Sequence, residues 1–431
     1  MPAHLSSTGR LRAVGSNRPN QPPISPLALS GDRVLLLQGP YGPFFSHFAR
    51  HLSRLGATVR KINFNGGDHF FYKGPGTDDY VGEPEHFPDF LREYLTTHRI
   101  NRVFLFADCR LHHQQAIRIC RDRGIPVRVF EEGYLRPDYV TCELDGINGY
   151  SHLPRDPAYY LGQVDTPVPA RRSTGSSFWR QWWFVELYMF ASILLRHRYP
   201  HYRHHNRIHT WKDVLDFHRN WLVGARRKLA VWWRDKRLTR QLAGPLSRGY
   251  FLVPLQVFDD SQVKHHSRYR DVTEFMRELA ASFAQHAPVR AKLVFKHHPM
   301  DRGYRHYGDF IAGLAREFNL GDRLIYTHDV HLPTALDHAL GVITINSTVG
   351  LSALWHQTPV KVMGAAIYDI KGLTFQGTLD EFWKKPTPPS QILHDCFRNY
   401  LIRHCQLNES FYGKQPFENT AKQYPSTPRK P

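Results

Sequence analysis

Cysteine is scarce in this 431-residue chain: Cys109, Cys120, Cys142, Cys396 and Cys405, with no CxxC pair among them. An odd number at irregular spacing argues against a disulfide framework and a cysteine zinc module, and fits a reducing compartment. Acidic side chains are also in short supply, with 38 Asp and Glu against 57 Lys and Arg, a formal net charge of +19. That surplus points to anionic partners (nucleic acid, an anionic membrane, phosphorylated substrates) without choosing among them. Long apolar runs are missing. The longest, WFVELYMFASILL at 183–195, has 13 residues and contains Glu186, whereas crossing a bilayer takes about 20. The N-terminus shows no apolar signal-peptide core. The expectation is a soluble or peripheral protein. No RNP, KH or zinc-finger pattern is present, so nucleic acid is not expected as a partner.

What is present is enough for two domains and their cores: 41% apolar residues, with 30 Gly and 30 Pro. The ends, 1–28 and 413–431, are rich in Pro, Ser, Asn and Lys and are expected to be disordered tails. From residue 33, strand-like runs alternate with amphipathic segments. RVLLLQG, ATVRKINFNGGD (with a Gly-Gly turn), NRVFLFAD and IPVRVFEEGYLRP read as strands separated by helices. A second series begins at GYFLVPLQVFDDS and runs through RAKLVFKHHPMD, DRLIYTHD, GVITINSTVG and PVKVMG. The fold class expected is α/β: two Rossmann-like domains, 29–170 and 248–385, facing a cleft as in GT-B glycosyltransferases. Between them, 171–247 reads as a helical, Trp- and Arg-rich segment holding seven of the nine tryptophans. A C-terminal helix is expected over 386–412.

Open parallel sheets bind ligands at the carboxyl ends of their strands, and four polar clusters fall at such ends. FEEGYLRP (130–137) places Glu131 and Glu132 after a strand, with Gly133 for a sharp turn. One carboxylate there suits general acid/base work, its pKa raised by its neighbour; a solvated loop pair or a salt bridge to Arg136 is the plainer alternative. LQVFDDSQV places Asp259 and Asp260 after a strand, suited to a nucleophile or to capping the next helix. In KHHPMD, Lys296, His297, His298 and Pro299 end a strand. No HxH, HExxH or carboxylate–His spacing accompanies them, so a phosphate holder is the better functional reading and no metal is expected. Paired histidines recur elsewhere in this 27-histidine chain, so the dipeptide alone says little. In TINSTVGLSAL, Asn346, Ser347 and Thr348 open a helix whose N–H groups and hydroxyls suit an anion, or merely cap it. The loop QGPYGPFF, with Gly39, Gly42, Phe44 and Phe45, is a plausible acceptor-side loop or simple turn chemistry. Trp179, Trp182, Trp183 and Phe184 beside Arg171, Arg172, Arg180 and Arg196 suit a membrane headgroup interface, or an interdomain hairpin with buried tryptophans.

FEEG, His298-Pro299 and Ser347-Thr348 resemble the (D/E)(D/E)G, HP and S(S/T) motifs of bacterial enzymes that use CMP-activated acidic sugars. LLLQGPYGPFF, INFNGGD, FEEGYLRPDYVT, VPLQVFDDSQV, FKHHPMD and TINSTVGLSALWHQTPVKVMG together resemble, across 33–385, the capsule polysaccharide biosynthesis proteins of the KpsS/LipB type. That resemblance implies a retaining β-Kdo transferase. It would move Kdo from CMP-Kdo to a phosphatidylglycerol-type lipid at the inner face of the bacterial inner membrane, without a cofactor. It would work beside a KpsC-type transferase and the capsule export machinery. It further implies Asp260 as the nucleophile, Glu131 or Glu132 as acid/base, and Lys296, His298, Pro299, Asn346, Ser347 and Thr348 around the CMP phosphate. The competing reading is a non-catalytic capsule export or assembly factor that binds lipid-linked glycan.

Overall fold

The computed structural model describes residues 30–163, 167–203, 210–260, 263, 266–414 and 417. The tail 1–28, Ser261, His204, His205 and nearly all of 413–431 lie outside them. In the N-terminal half, β1 (Arg33–Leu36), β2 (Thr58–Asn63), β3 (Thr77–Asp79), β4 (Arg102–Phe106) and β5 (Val127–Glu132) form parallel pairs in the order β3-β2-β1-β4-β5. The sheet then continues antiparallel through β6 (Val140–Leu144). In the C-terminal half, β7 (Tyr250–Pro254), β8 (Lys292–Lys296), β9 (Leu324–Thr327), β10 (Gly341–Thr344) and β11 (Val360–Val362) are all parallel, in the order β11-β10-β7-β8-β9. Counted within each half, both sheets have the Rossmann order 3-2-1-4-5, as expected for two doubly wound units. That order fixes where ligands bind: the chain reverses direction across the sheet between the first and fourth strands, leaving a crevice at their carboxyl ends. The crevices lie after β1 and β4 in one half and after β7 and β10 in the other.

The central strands are nearly all apolar because helices cover both faces, whereas β2 and the edge strand β3 are mostly polar. Val34, Leu35, Leu36, Val103 and Leu105 are fully buried in one sheet, as are Phe251, Leu252, Val294 and Phe295 in the other. Helices α1 (Phe44–Arg54), α2 (Gly66–Phe71), α3 (Phe87–Thr97) and α4 (Leu111–Asp122) serve the N-terminal half, α5 (Pro157–Leu161) packs through Tyr160 on Phe397 and Tyr400 in the C-terminal core, and α6 (Phe178–Leu194) and α7 (Trp211–Ala243) make up the middle segment.

Three details depart from the sequence reading. Gly66 and Gly67 are not a turn within a strand; they open α2, and their missing side chains let α6 cross at backbone contact. A Cβ on Gly66 would lie 2.2 Å from the Ala191 carbonyl, and one on Gly67 would lie 2.6 Å from the Tyr188 ring. Gly66→Val is therefore expected to lower stability by at least about 3 kcal/mol, the upper part of the range for overpacking. A urea midpoint equal to wild type would contradict this crossing. The segment 386–412 is not only a helix. The helix Gln391–His404 is followed by β12 (Gln406–Leu407), which pairs with β6 and returns the chain to the N-terminal sheet. Phe411 and Tyr412 then bury themselves in the N-terminal core, where Phe417, within the expected tail, packs against Phe44 and Phe48. Finally, of the two readings of the middle segment, the hairpin with buried tryptophans does not hold: Trp179 is 69% exposed, Trp183 54% and Trp233 72%.

Candidate active site

The ends of β7 and β10 are joined through one amide. Gln256 Nε2 donates to Asp260 Oδ2 (3.1 Å) and to Asn346 Oδ1 (3.0 Å). Asp260 sits half-buried in a turn, its N–H donating to Val257 O. The turn is tied to the end of β8, where Asp301 Oδ2 accepts from Phe258 N (3.3 Å). The last residue of KHHPMD thus positions the loop that carries Asp260.

The two adjacent histidines part company. His297 is fully buried, its Nδ1 2.8 Å from the Tyr326 hydroxyl and its ring 4.6 Å from that of His328. Burial pushes its pKa down to about 3, so it is a neutral core group. His298 is half-buried at the strand end, where its Nδ1 accepts from Met300 N (3.3 Å). That bond places the ring proton on Nε2. Burial first, then Lys296, Arg136 and Arg302, pull its pKa down to about 4. At neutral pH His298 is therefore an uncharged Nε2–H donor set among cations, rather than an imidazolium. Lys296, the last residue of β8, is half-buried; burial, then Arg302, lower its pKa. Pro299 opens the short 3-10 turn Pro299–Asp301.

After β10, Ser347 N donates to Thr344 Oγ1 (3.2 Å), Ser347 Oγ accepts from Val349 N (3.2 Å), and the Tyr368 hydroxyl donates to Ser347 O (2.5 Å). Gly350 makes room for that hydroxyl, since a Cβ would lie 2.2 Å from it. Thr348 precedes a helix of only seven residues, Val349–Trp355. Few peptide dipoles sum there, so hydroxyls and local N–H groups are what this turn offers an anion.

In the N-terminal half, Glu131 and Glu132 belong to β5 itself, opposite Thr141 and Val140, rather than to a loop after it. Gly133 is required less by its φ than by contact: a Cβ would lie 2.1 Å from Tyr139 O. Glu131 Oε1 accepts from Glu132 N (3.0 Å). Burial, with the charges of Glu132 and Asp108, raises the Glu131 pKa to about 7 despite that bond. Burial raises Glu132 too, opposed by Arg136. The two halves meet at Cys109, whose sulfur is 4.0 Å from His266 Nε2; burial and Asp108 raise that thiol's pKa most, and the charges of Glu131 and Asp260 add to the shift. On the phosphate side, Arg136 influences both Glu132 and His298.

The expected acceptor loop needs correction. Phe44 and Phe45 are core residues, 0% and 3% exposed, packed on Phe130. Gly39 spares contact with the Phe45 ring (3.0 Å), and Gly42, at φ +104°, spares contact with Phe184 of α6 (2.4 Å). Gly39 closes the loop onto its own half, and Gly42 closes it onto α6 of the middle segment. Nor is Arg171 free for a headgroup, because it pairs with the buried Asp138 at 2.7 Å.

Sequence reasoning missed Gln256, Asp108, Cys109, His266 and Glu143. Gln256 and Asp108 follow β7 and β4, so the strand-end rule could have found them. His266 carries no sequence signal; it reaches the cleft only through the fold, its ring 4.6 Å from that of Tyr150. Glu143 is fully buried, accepting from Tyr134 OH (2.6 Å) and Ser151 Oγ, and burial raises its pKa to about 7.

The sequence has relatives among known proteins. Residues 101–412 match the family described as Capsule polysaccharide biosynthesis protein. The chain is 41% identical over 384 residues to the Escherichia coli capsule polysaccharide export protein KpsS, covering 89% of this chain and 98% of that protein. It is 39% identical over 411 residues to the capsule polysaccharide modification protein LipB of Neisseria meningitidis serogroup B, covering 93% of this chain and 96% of LipB. Among solved structures, a Thermosulfurimonas dismutans KpsC β-Kdo 2,7 transferase is similar at 16% identity and a TM-score of 0.36, over 84% of this chain and 89% of that one. The sequence matches span the cleft just described and both sheets that form it: the chain belongs to the capsule polysaccharide biosynthesis protein family, with the KpsS and LipB proteins as its relatives.

Proposed function

We propose that this protein is a retaining glycosyltransferase that moves Kdo from CMP-Kdo to the glycerol hydroxyl of a phosphatidylglycerol-type lipid. The observation that carries the reading is the division of chemistry across the cleft. The charges of Asp260 and of a protonatable Glu131 both bear on the Cys109 thiol, while those of Lys296 and Arg136 bear on the neutral His298. Asp260 Oδ attacks the anomeric carbon of Kdo as the CMP phosphate oxygen leaves with the bonding electrons. The acceptor oxygen then attacks the same carbon, its proton passes to Glu131, and the Asp260 carboxylate leaves. Two inversions give net retention.

His298 Nε2–H, with Asn346, Ser347, Thr348 and Lys296, serves the departing phosphate. CMP leaves as a monophosphate, whose charge such donors can carry. His298→Ala is expected to weaken CMP binding about 10- to 100-fold, the loss of a hydrogen bond to a charged group worth about 1.5–3 kcal/mol. Calorimetric titration with CMP is the check, and an unchanged affinity removes His298 from the phosphate site.

The middle segment supports a membrane-facing role. No helix among the described residues is long and apolar enough to cross a bilayer. Phe178 (62% exposed), Trp179, Trp183, Leu229 (74%) and Trp233 nevertheless offer large apolar groups to solvent on a basic segment. Such residues seat at an anionic headgroup layer.

The decisive assay supplies CMP-Kdo and a fluorescent lysophosphatidylglycerol analogue with EDTA present, read by mass spectrometry. A product heavier by one Kdo supports the proposal. Folded protein that binds the lipid but leaves CMP-Kdo intact favours the second reading, a non-catalytic assembly factor, to which the export name of the E. coli relative lends weight.

A further inference from the structure

Between the two halves, side chains that the transfer reaction does not use converge at one point. Asp108 and Cys109 follow β4 in the N-terminal half, and His266 follows β7 in the other. One ligating atom from each lies within 4.8 Å of the others. The Cys109 sulfur is 3.3 Å from Asp108 Oδ1 and 4.0 Å from His266 Nε2. Asp108 and His266 are 4% and 5% exposed.

The surroundings hold these groups in place. Asp108 Oδ2 accepts from Ile147 N (3.0 Å), leaving the other oxygen directed at the thiol. The backbone carbonyl of His266 accepts from Ala365 N (2.8 Å) and from Asn346 Nδ2 (3.4 Å), which fixes this segment to the end of β10. Gly149 gives the ring its space, since a Cβ there would lie 2.3 Å from Nδ1. Ala107, directly before Asp108, is held at φ +64°. An alanine in the left-handed region is strained, and strain of this kind collects where a precise side-chain placement is needed. Here it turns Asp108 and Cys109 out of the strand direction and into the cleft.

We propose that Asp108, Cys109 and His266 form a binding site for a borderline-soft divalent cation of the zinc class, which on binding ties the two halves of the molecule together across the cleft. The donor set selects the ion. A thiolate beside an imidazole and a carboxylate favours zinc-like cations and disfavours magnesium and calcium. Around tetrahedral zinc, with bonds of about 2.0–2.3 Å, such donors stand roughly 3.3–3.7 Å apart. The two separations from the Cys109 sulfur, 3.3 and 4.0 Å, therefore need adjustments of only tenths of an ångström, and the Asp108–His266 pair, within 4.8 Å, closes by up to about an ångström as the ion draws the donors in. Three protein ligands leave a fourth position for water. On binding, the Cys109 S–H proton goes to solvent, a sulfur–metal bond forms, and the Asp108 oxygen that accepted from the thiol becomes a ligand. The ion is given no step in the transfer; resting on the proposed reaction, the inference is that it acts on opening and closing of the cleft beside Glu131 and Asn346.

The test is titration of the reduced, metal-stripped full-length protein with Co²⁺ and Zn²⁺, using calorimetry and absorption. One ion per chain is expected, with the near-ultraviolet charge-transfer band of a cobalt–thiolate bond. Cys109→Ser should lose the band. Both Cys109→Ser and His266→Gln should bind at least about 100-fold more weakly, since even changes around metal ligands cost about 10- to 100-fold. Circular dichroism establishes that each variant is folded. Absence of binding in the wild type overturns the site, as does stoichiometric binding that survives Cys109→Ser, which would place the ion on other histidines of this His-rich chain. Tight binding that survives His266→Gln alone overturns the bridging of the two halves.

Discussion

Replacing Asp260 by Asn is expected to reduce Kdo transfer by about 10⁴-fold or more, the scale on which enzymes lose turnover when a nucleophile is removed, while CMP binding stays near wild type. The substitution is chosen for its geometry. Gln256 Nε2 donates to Asp260 Oδ2, and an asparagine carbonyl oxygen accepts the same bond, so the ends of β7 and β10 stay joined. The turn is otherwise held through backbone, by Asp260 N to Val257 O and Phe258 N to Asp301. What disappears is the negative charge and the second oxygen able to attack carbon. Two measurements separate this from a loss of structure. Calorimetry with CMP should report binding, because the phosphate donors lie on β8 and after β10. Mass spectrometry of quenched wild-type reactions should find a Kdo adduct on the peptide carrying Asp260, and the variant should lack it. If Asp260→Asn retains transfer, double displacement through this residue is wrong and a front-face route takes its place.

The sequence and the fold carry different parts of this argument. Both Rossmann units were legible because their strands are short apolar runs between amphipathic helices, a pattern that burial on two faces imposes. The polar clusters at strand ends were legible for the same reason. Legibility failed where one residue type serves two physical ends. Phe44 and Phe45 next to glycines read as an acceptor-side loop or turn, but α1 begins at Phe44 and turns both rings into the core. Gly66-Gly67 read as a turn, yet their use is the close approach of α6, a partner more than a hundred residues away. Adjacent glutamates read as equivalent, and only the fold distinguishes them, with Glu131 beside Asp108 and Glu132 beside Arg136. The pairing of β12 with β6 and the meeting of Cys109 with His266 are long-range contacts that no local pattern announces.

The rate of transfer is expected to rise with pH and level off near the Glu131 pKa, and Glu131→Gln should remove that dependence together with about 10²- to 10⁴-fold of the rate, the usual contribution of a positioned general base. Glu131 must be ionised to take the acceptor proton, and in the free protein its pKa is about 7. In kcat/KM the acid limb should therefore fall tenfold per pH unit below about 7. In kcat the limb should move to higher pH, because the bound phosphate adds negative charge beside the carboxylate. His298, at about 4, titrates below this window and does not compete for the assignment. Stability supplies the control. A carboxyl whose pKa rises on folding keeps a proton that the unfolded chain has lost, so stability is fully present below the ordinary value of 4.5 and is lost as pH climbs to about 7. Glu143, also raised to about 7, adds the same slope from a site away from the reacting atoms. Glu131→Gln should therefore keep the Glu143 share of the fall in Tm with pH while losing the acid limb of the rate. A variant that keeps the limb would transfer the acid/base role to Glu132, whose own replacement by Gln then becomes the one that flattens the profile.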